Sequence, residues 1–109
     1  HLIHAKISEL NSNGNPVILM GDLNAEPTSE PIRYLKDHYC ESQQFAKSVI
    51  SGPIGTFNGF DPDNSVERKI DYIFTKNLNI NEYGHVDVQL NDSMFISDHL
   101  PVLTIASFQ

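Results

Sequence analysis

The chain has 109 residues, 39% hydrophobic and 19% charged, enough for one small domain with a modest core. Its net charge of −7 excludes wholesale electrostatic attraction to nucleic acid, which shows as a basic patch, although a metal ion and a few local cations can offset phosphate charge in an acidic protein. No apolar run approaches the ~20 residues of a membrane-spanning helix, and the single cysteine, Cys40, excludes an internal disulfide.

Leu2, Ile3, Ile7 and Leu10 recur at helical spacing, and Gly14 and Pro16 follow, which predicts a helix with a glycine stop. No N-cap or lead-in loop precedes Leu2, so the chain reads as starting inside a helix, through truncation or with His1 as a tag remnant. Pro16 to Met20 is a continuous apolar run of strand length, as for a strand covered on both faces, and Gly21 opens a turn carrying Asp22 and Asn24. Ser29-Glu30-Pro31 is a helix entry, with Ser as cap and an acid and Pro in the first turn. Ile32, Tyr34 and Leu35 then make a short amphipathic helix ending near Asp37. Residues 38–50 are ambiguous, with a second helix around Gln43 to Ser48. Cys40 has no neighbouring His to activate a thiolate and reads as a small half-buried side chain.

Ser51 to Gly55 is loop by composition, Thr56-Phe57 a short strand, and Asn58 to Glu67 a polar turn-rich loop. Asp61-Pro62-Asp63-Asn64 imitates the start of a calcium loop but lacks its later Gly and Glu, so an exposed turn is expected. Ile70 to Phe74 is a second buried-type strand. Glu82 to Leu90 alternates, with Val86, Val88 and Leu90 on one face, and predicts a half-exposed strand. That alternation accounts for His85-Val86-Asp87 better than an iron facial triad, since a second His is not identifiable. Leu100 to Phe108 closes the chain as a strand, with Pro101 tolerable near its start. These elements make an α/β or α+β layer with no repeat or linker.

Three runs carry the chemistry: Val17 to Asn24 (VILMGDLN), Lys69 to Phe74 (KIDYIF) and Ser97 to Val102 (SDHLPV). An apolar strand gains no stability from Asp at its end. Three such junctions suggest strands delivering carboxylates to one rim, where they could hold a divalent cation and activate water. Asp22 is suited to positioning and deprotonating water, and Asn24, on the same side of an extended segment, to orienting water or a phosphoryl oxygen. The plainer alternative is a turn in which Asp22 caps the following backbone. Asp98 and His99 are adjacent, so a loop rather than a strand is needed for both to reach one site. Asp71, between Ile70 and Tyr72, is too polar for a core without a partner.

In this order the runs resemble the endonuclease/exonuclease/phosphatase superfamily, the deoxyribonuclease I-like metal-dependent phosphoesterases. The resemblance implies a four-layer α/β/β/α sandwich. Residues 1–109 would be its C-terminal half: one mainly antiparallel or mixed sheet with flanking helices, without the N-terminal half and its Asn and Glu metal ligands. It implies Asp22, Asn24, Asp71 and His99 as catalytic residues, Asp98 on the metal-binding side, and Mg2+ or Mn2+ as cofactor. In that scheme His99 contacts the scissile phosphate and Asp71 favours its charged form. Thr56-Phe57 resembles a pocket-lining run, so Phe57 or Asn58 could contact substrate, with core packing the more ordinary role for Phe57. Arg68 and Lys69 could approach phosphate, yet charged residues beside a strand are usually only solvated, and neither is taken as a site residue. His1 and His4 lie too close to Asp22 to be the family's upstream His, and are expected on the helix surface.

The implied substrate is a phosphate ester, whether nucleic acid, nucleotide, lipid headgroup or inositol phosphate. A catalytically silent half-domain acting as a binding or structural module is the rival reading. A zinc hydrolase fits poorly, with one matched His and one Cys as soft ligands. In isolation the chain is expected to bind metal weakly, to be inactive, and to self-associate through apolar strand faces.

Overall fold

A computed structural model describes residues 1–50, 52–61, 63–91 and 94–109. Ser51 of the loop expected at 51–55 and Pro62 of the calcium-like run lie outside the described residues. Helix α1 spans Leu2–Leu10 and ends at Asn11, whose N–H donates to the Ile7 carbonyl; Gly14, at φ +68°, sits in the turn beyond rather than at the helix end. None of its residues is buried, and Ile7 alone of its apolar side chains packs against the core cluster.

Strand β1, Val17–Asp22, runs straight through Gly21 instead of turning there. Val17 and Leu19 face the core, while Ile18 and Met20 are 60% and 69% exposed, so within these residues β1 is covered on one face only. The unbroken apolar run therefore combines a packed face and an open one, correcting the two-sided reading. Helix α2, Glu30–His38, has Ser29 at its N-cap and Pro31 in its first turn, but the Ser29 hydroxyl donates back to the Glu26 carbonyl rather than capping. Its buried face, Ile32 and Leu35, joins Tyr39, Tyr72 and Phe74 in the main core.

The ambiguous stretch resolves into β2 (Cys40–Glu41), a single-turn α3 (Ser42–Phe45) and β3 (Ser48–Val49). The helix starts earlier than expected because the Glu41 carboxylate accepts the N–H groups of both Gln43 and Gln44. Cys40 is half-buried. The same Glu41 oxygen that caps Gln43 takes the Lys69 ammonium at 2.7 Å, and Gln43 Oε1 accepts from it at 2.6 Å. Lys69 is only 4% exposed, packed between the Tyr72 and Tyr83 rings, which overturns its reading as a solvated charge. Burial lowers its pKa, with Glu41 pulling the other way.

Strand β4, Asp71–Lys76, turns at Asn77 (φ +60°) into β5, Leu78–His85. The half-exposed strand expected at 82–90 is thus found earlier, at 78–85. A register shift between Ile80 and Glu82 breaks the period of two inside β5, hiding its buried residues Ile80 and Tyr83. Beyond His85 the chain leaves the ladder, and Gln89–Asn91 (β6) pairs instead with Met94–Phe95 (β7). His85 is a satisfied core residue: Nδ1 donates to the Pro53 carbonyl, so Nε2 accepts from the Tyr83 hydroxyl at 2.7 Å. The last strand, β8, is Val102–Phe108.

The strands form two three-stranded ladders, β1-β4-β2 and β3-β5-β8, and the β6-β7 pair. The described pairings are antiparallel except β3 with β5, giving the mixed α/β character expected of the chain. Phe57 bridges Arg68 on one side and His99 on the other, and so ties the β4 lead-in to the β8 lead-in. Asn58 is buried rather than open to substrate; it donates to the Ser97 carbonyl and accepts the Phe60 N–H, fixing the loop before β8. No helix among the described residues is long and apolar enough to cross a membrane.

Candidate active site

Antiparallel register sets Asp22, the last residue of β1, directly opposite Asp71, the first of β4. Residues paired across an antiparallel ladder point to the same side, so both carboxylates arrive at one edge. A cleft of about 340 Å³ opens there, and Gly21, Asp22, Asp71 and Leu100 contribute to its lining.

Asp22 closes the turn that its sequence allowed and also reaches toward His99. Its Oδ1 accepts the Asn24 N–H at 2.8 Å, closing a turn, while Oδ2 lies 3.9 Å from His99 Nε2. Asn24 is less cooperative. It takes φ +48°, so the extended two-residue spacing with Asp22 does not hold, and it is absent from the cleft lining.

The Asp71 Oδ2 atom accepts from His99 Nδ1 at 2.8 Å and from the Thr56 hydroxyl at 2.7 Å. Thr56 is fully buried, and its oxygen in turn accepts the N–H groups of Ile70 and Asp71, which aims its single proton at the carboxylate. With Nδ1 donating to Asp71, His99 presents Nε2 to Asp22 and solvent. The hydrogen bond to Asp71 raises the His99 pKa, opposed by partial burial and reinforced by the charges of Asp71, Asp98 and Asp22. Thr56 is the site member that sequence reasoning missed as a polar partner: the Thr-Phe run was noted, but for the ring of Phe57.

Ser97 to His99 is irregular backbone, held by the His99 N–H donating to Ser97 Oγ and by the Asn58 N–H donating to the Asp98 carbonyl. The adjacent Asp98 and His99 are thus freed from strand alternation. Asp98 is half-buried, with its carboxylate 3.5 Å from Ser97 Oγ. Among the described residues, Asp22, Asp71 and His99 form a group whose ligand atoms lie within 4.8 Å of one another and could hold a metal ion; Asp98 is not part of that group. His99 Nδ1 and Asp71 Oδ2 are already engaged with each other. The Asp22 carboxylate can therefore supply a share of a magnesium shell of about six oxygens rather than all of it.

Phe57 packs edge-to-face on His99 with ring centroids 5.3 Å apart, so its ring contributes to the site as well as to packing. Arg68 lies over the same ring and donates from Nε to Glu26 at 3.0 Å. His1 and His4 are remote from this edge. His1 packs on Tyr34, and His4 stacks on His38 and bonds the Tyr39 hydroxyl, clasping α1 to α2.

Curated protein sequences include no significant match to the chain. Among solved structures, a mannosyl-6-phosphatase of Bacteroides thetaiotaomicron VPI-5482 is 29% identical with a TM-score of 0.86, the match covering 98% of this chain and 43% of that one. An endonuclease/exonuclease/phosphatase family protein, also from Bacteroides thetaiotaomicron, is 30% identical at a TM-score of 0.86, covering 99% and 43%. A conserved protein of unknown function from Enterococcus faecalis V583 is 27% identical at 0.82, covering 98% and 43%. The chain thus spans less than half the length of these structures. The sequence profile of the Endonuclease/Exonuclease/phosphatase family matches residues 1–99, and the chain belongs to that family of phosphoesterases and nucleases.

Proposed function

We propose that residues 1–109 are the C-terminal part of a phosphoesterase domain dependent on Mg2+ or Mn2+, and that they supply its water-activating and phosphate-binding side. One observation carries this reading: His99 is held at Nδ1 by Asp71 at 2.8 Å while Nε2 faces the Asp22 carboxylate at 3.9 Å. An imidazolium so oriented donates from Nε2 to a phosphoryl oxygen, and its raised pKa keeps it charged closer to neutrality. Asp22 holds the attacking water and accepts its proton as the water oxygen bonds to phosphorus in line with the departing ester oxygen. Asn24 contributes its N–H to Asp22 Oδ1 and so fixes the turn that presents that carboxylate. Asp22, within the group that could hold an ion, and Asp98, outside it, would share the cation with ligands from beyond these residues. When bound, the metal supplies neutralisation of the phosphoryl charge.

The name of the mannosyl-6-phosphatase neighbour brings sugar phosphomonoesters into the range of substrates for this chain's parent. The test is a panel of phosphate monoesters and diesters offered to the complete protein after removal of divalent metal. Hydrolysis restored by Mg2+ or Mn2+ is expected. Full activity in EDTA would contradict the metal requirement, and no turnover of any ester with metal present would favour the silent binding module.

A further inference from the structure

We propose that the ion pair between Glu26 and Arg68, seated beside Phe57, is the subsite for the part of the ester that leaves with its oxygen, and that it selects a neutral polyhydroxylated group of the sugar type. The proposal rests on the phosphoesterase reading above and names its substrate class.

Position comes first. Phe57 is the antiparallel bridge partner of both Arg68 and His99, and directly opposed residues project on the same side of a ladder. Arg68, Phe57 and His99 therefore form a row across three adjoining segments, about 10 Å from end to end at the ordinary strand spacing. The side chains agree, with 5.3 Å between the Phe57 and His99 rings and 5.6 Å from Arg68 Cζ to the Phe57 centroid. Glu26 comes from the turn after Asp22 and meets Arg68 at 3.0 Å, joining the far end of the row to the Asp22 side of the site. A phosphate held at His99 and Asp22 lays the remainder of its ester along Phe57 toward this pair.

The pair is also presented for binding. The two side chains are 51% and 56% exposed, and the backbone under Glu26 is anchored: the Tyr72 hydroxyl donates to the Ala25 carbonyl, and the Ser29 N–H and hydroxyl both donate to the Glu26 carbonyl. An exposed ion pair adds little to stability, so the fold does not require this one.

Its chemistry selects the group. Side by side it offers carboxylate acceptors and guanidinium donors with no net charge, and a hydroxyl both donates and accepts, so neighbouring hydroxyls can satisfy both partners together. A second phosphate would gain Arg68 but meet Glu26, with Asp22, Asp71 and Asp98 nearby. An aryl group would cover the pair and satisfy neither member. Hydrogen bonds from substrate hydroxyls to these two charged groups favour such an ester over an analogue lacking them.

The experiment uses Arg68→Gln and Glu26→Gln in the complete protein. It compares kcat/KM for a hexose 6-phosphate with kcat/KM for 4-nitrophenyl phosphate, and calorimetric affinity for the hexose 6-phosphate with that for inorganic phosphate. The wild type should prefer the hexose ester in both assays, and each substitution should lower the kinetic ratio by about tenfold or more, mainly through KM. A ratio within about twofold of wild type in both variants overturns the subsite. So does a preference for a bisphosphorylated hexose that Arg68→Gln abolishes and Glu26→Gln strengthens, since the pair would then read charge. A protein that hydrolyses no ester, yet loses its calorimetric preference in both variants, retains the subsite and overturns the phosphoesterase reading alone. Absence of any calorimetric preference overturns the subsite.

Discussion

At Asp71 a single carboxylate oxygen serves two donors, the His99 imidazole and the Thr56 hydroxyl, and this arrangement sets the charge state of the site. Because the folded-state pKa of His99 is raised above 6.5, the protonated ring stabilises the fold fully below about pH 6.5, and that contribution is lost as pH climbs through the higher folded value. Chemistry that needs the imidazolium should fade over the same rise. An NMR titration of the His99 ring should give a pKa above 6.5 in the native chain and a lower one in Asp71→Asn; equal values in the two proteins would contradict the pairing. That Asp71 needs a partner was legible from its sequence, since a carboxylate inside an apolar strand is costly alone. Thr56 was not legible, because threonine carries no chemical mark and its hydrogen bond reaches across to β4. Lys69 was misread for a related reason: its counter-charge, Glu41, lies far away in sequence and reaches it only in the fold.

Elements deliver these residues through close backbone approaches. A Cβ built on Gly55 would lie 2.5 Å from the Glu67 carbonyl carbon and 2.5 Å from the Arg68 nitrogen, so the segment carrying Thr56 depends on glycine there. Gly55→Ala should lower stability by about 1–3 kcal/mol, the scale of overpacking, measured as a shift in urea midpoint. It should also weaken the site by moving Thr56 away from Asp71. A wild-type midpoint would show that the 54–57 segment shifts freely. The strands bearing chemistry were the legible ones: β1 and β4 each couple an apolar run to a carboxylate, and both lie close to where the sequence sets them. β5 was hidden by its register shift between Ile80 and Glu82. The open face of β1 was equally hidden, because apolar residues look alike whether their cover lies inside these residues or outside.

Considered as a whole, the molecule has apolar side chains facing solvent on the strands flanking the cleft. Ile18 and Met20 on β1 are 60% and 69% exposed, and Leu103 and Ile105 on β8 are 42% and 44% exposed. Met20 and Val102 line the same cleft, which places β1 and β8 beside one opening. Exposed apolar side chains on strands of this kind call for cover, and matched structures of more than twice this length are the natural place to find it. We therefore expect residues 1–109, prepared alone, to self-associate and to bind Mg2+ weakly. Sedimentation velocity should show concentration-dependent dimers or larger species; a folded monomer with tight Mg2+ binding would contradict both expectations.

Asp22 as the group that activates water and His99 as the group that meets the phosphate are the centre of the proposed reaction. Its most direct test is kcat for Asp22→Asn and His99→Ala in the complete, metal-loaded protein, with folding checked by circular dichroism. Each substitution should reduce kcat by about a hundredfold or more, the scale of lost acid–base or electrostatic catalysis, while wild-type rates in both folded variants would contradict the assignment.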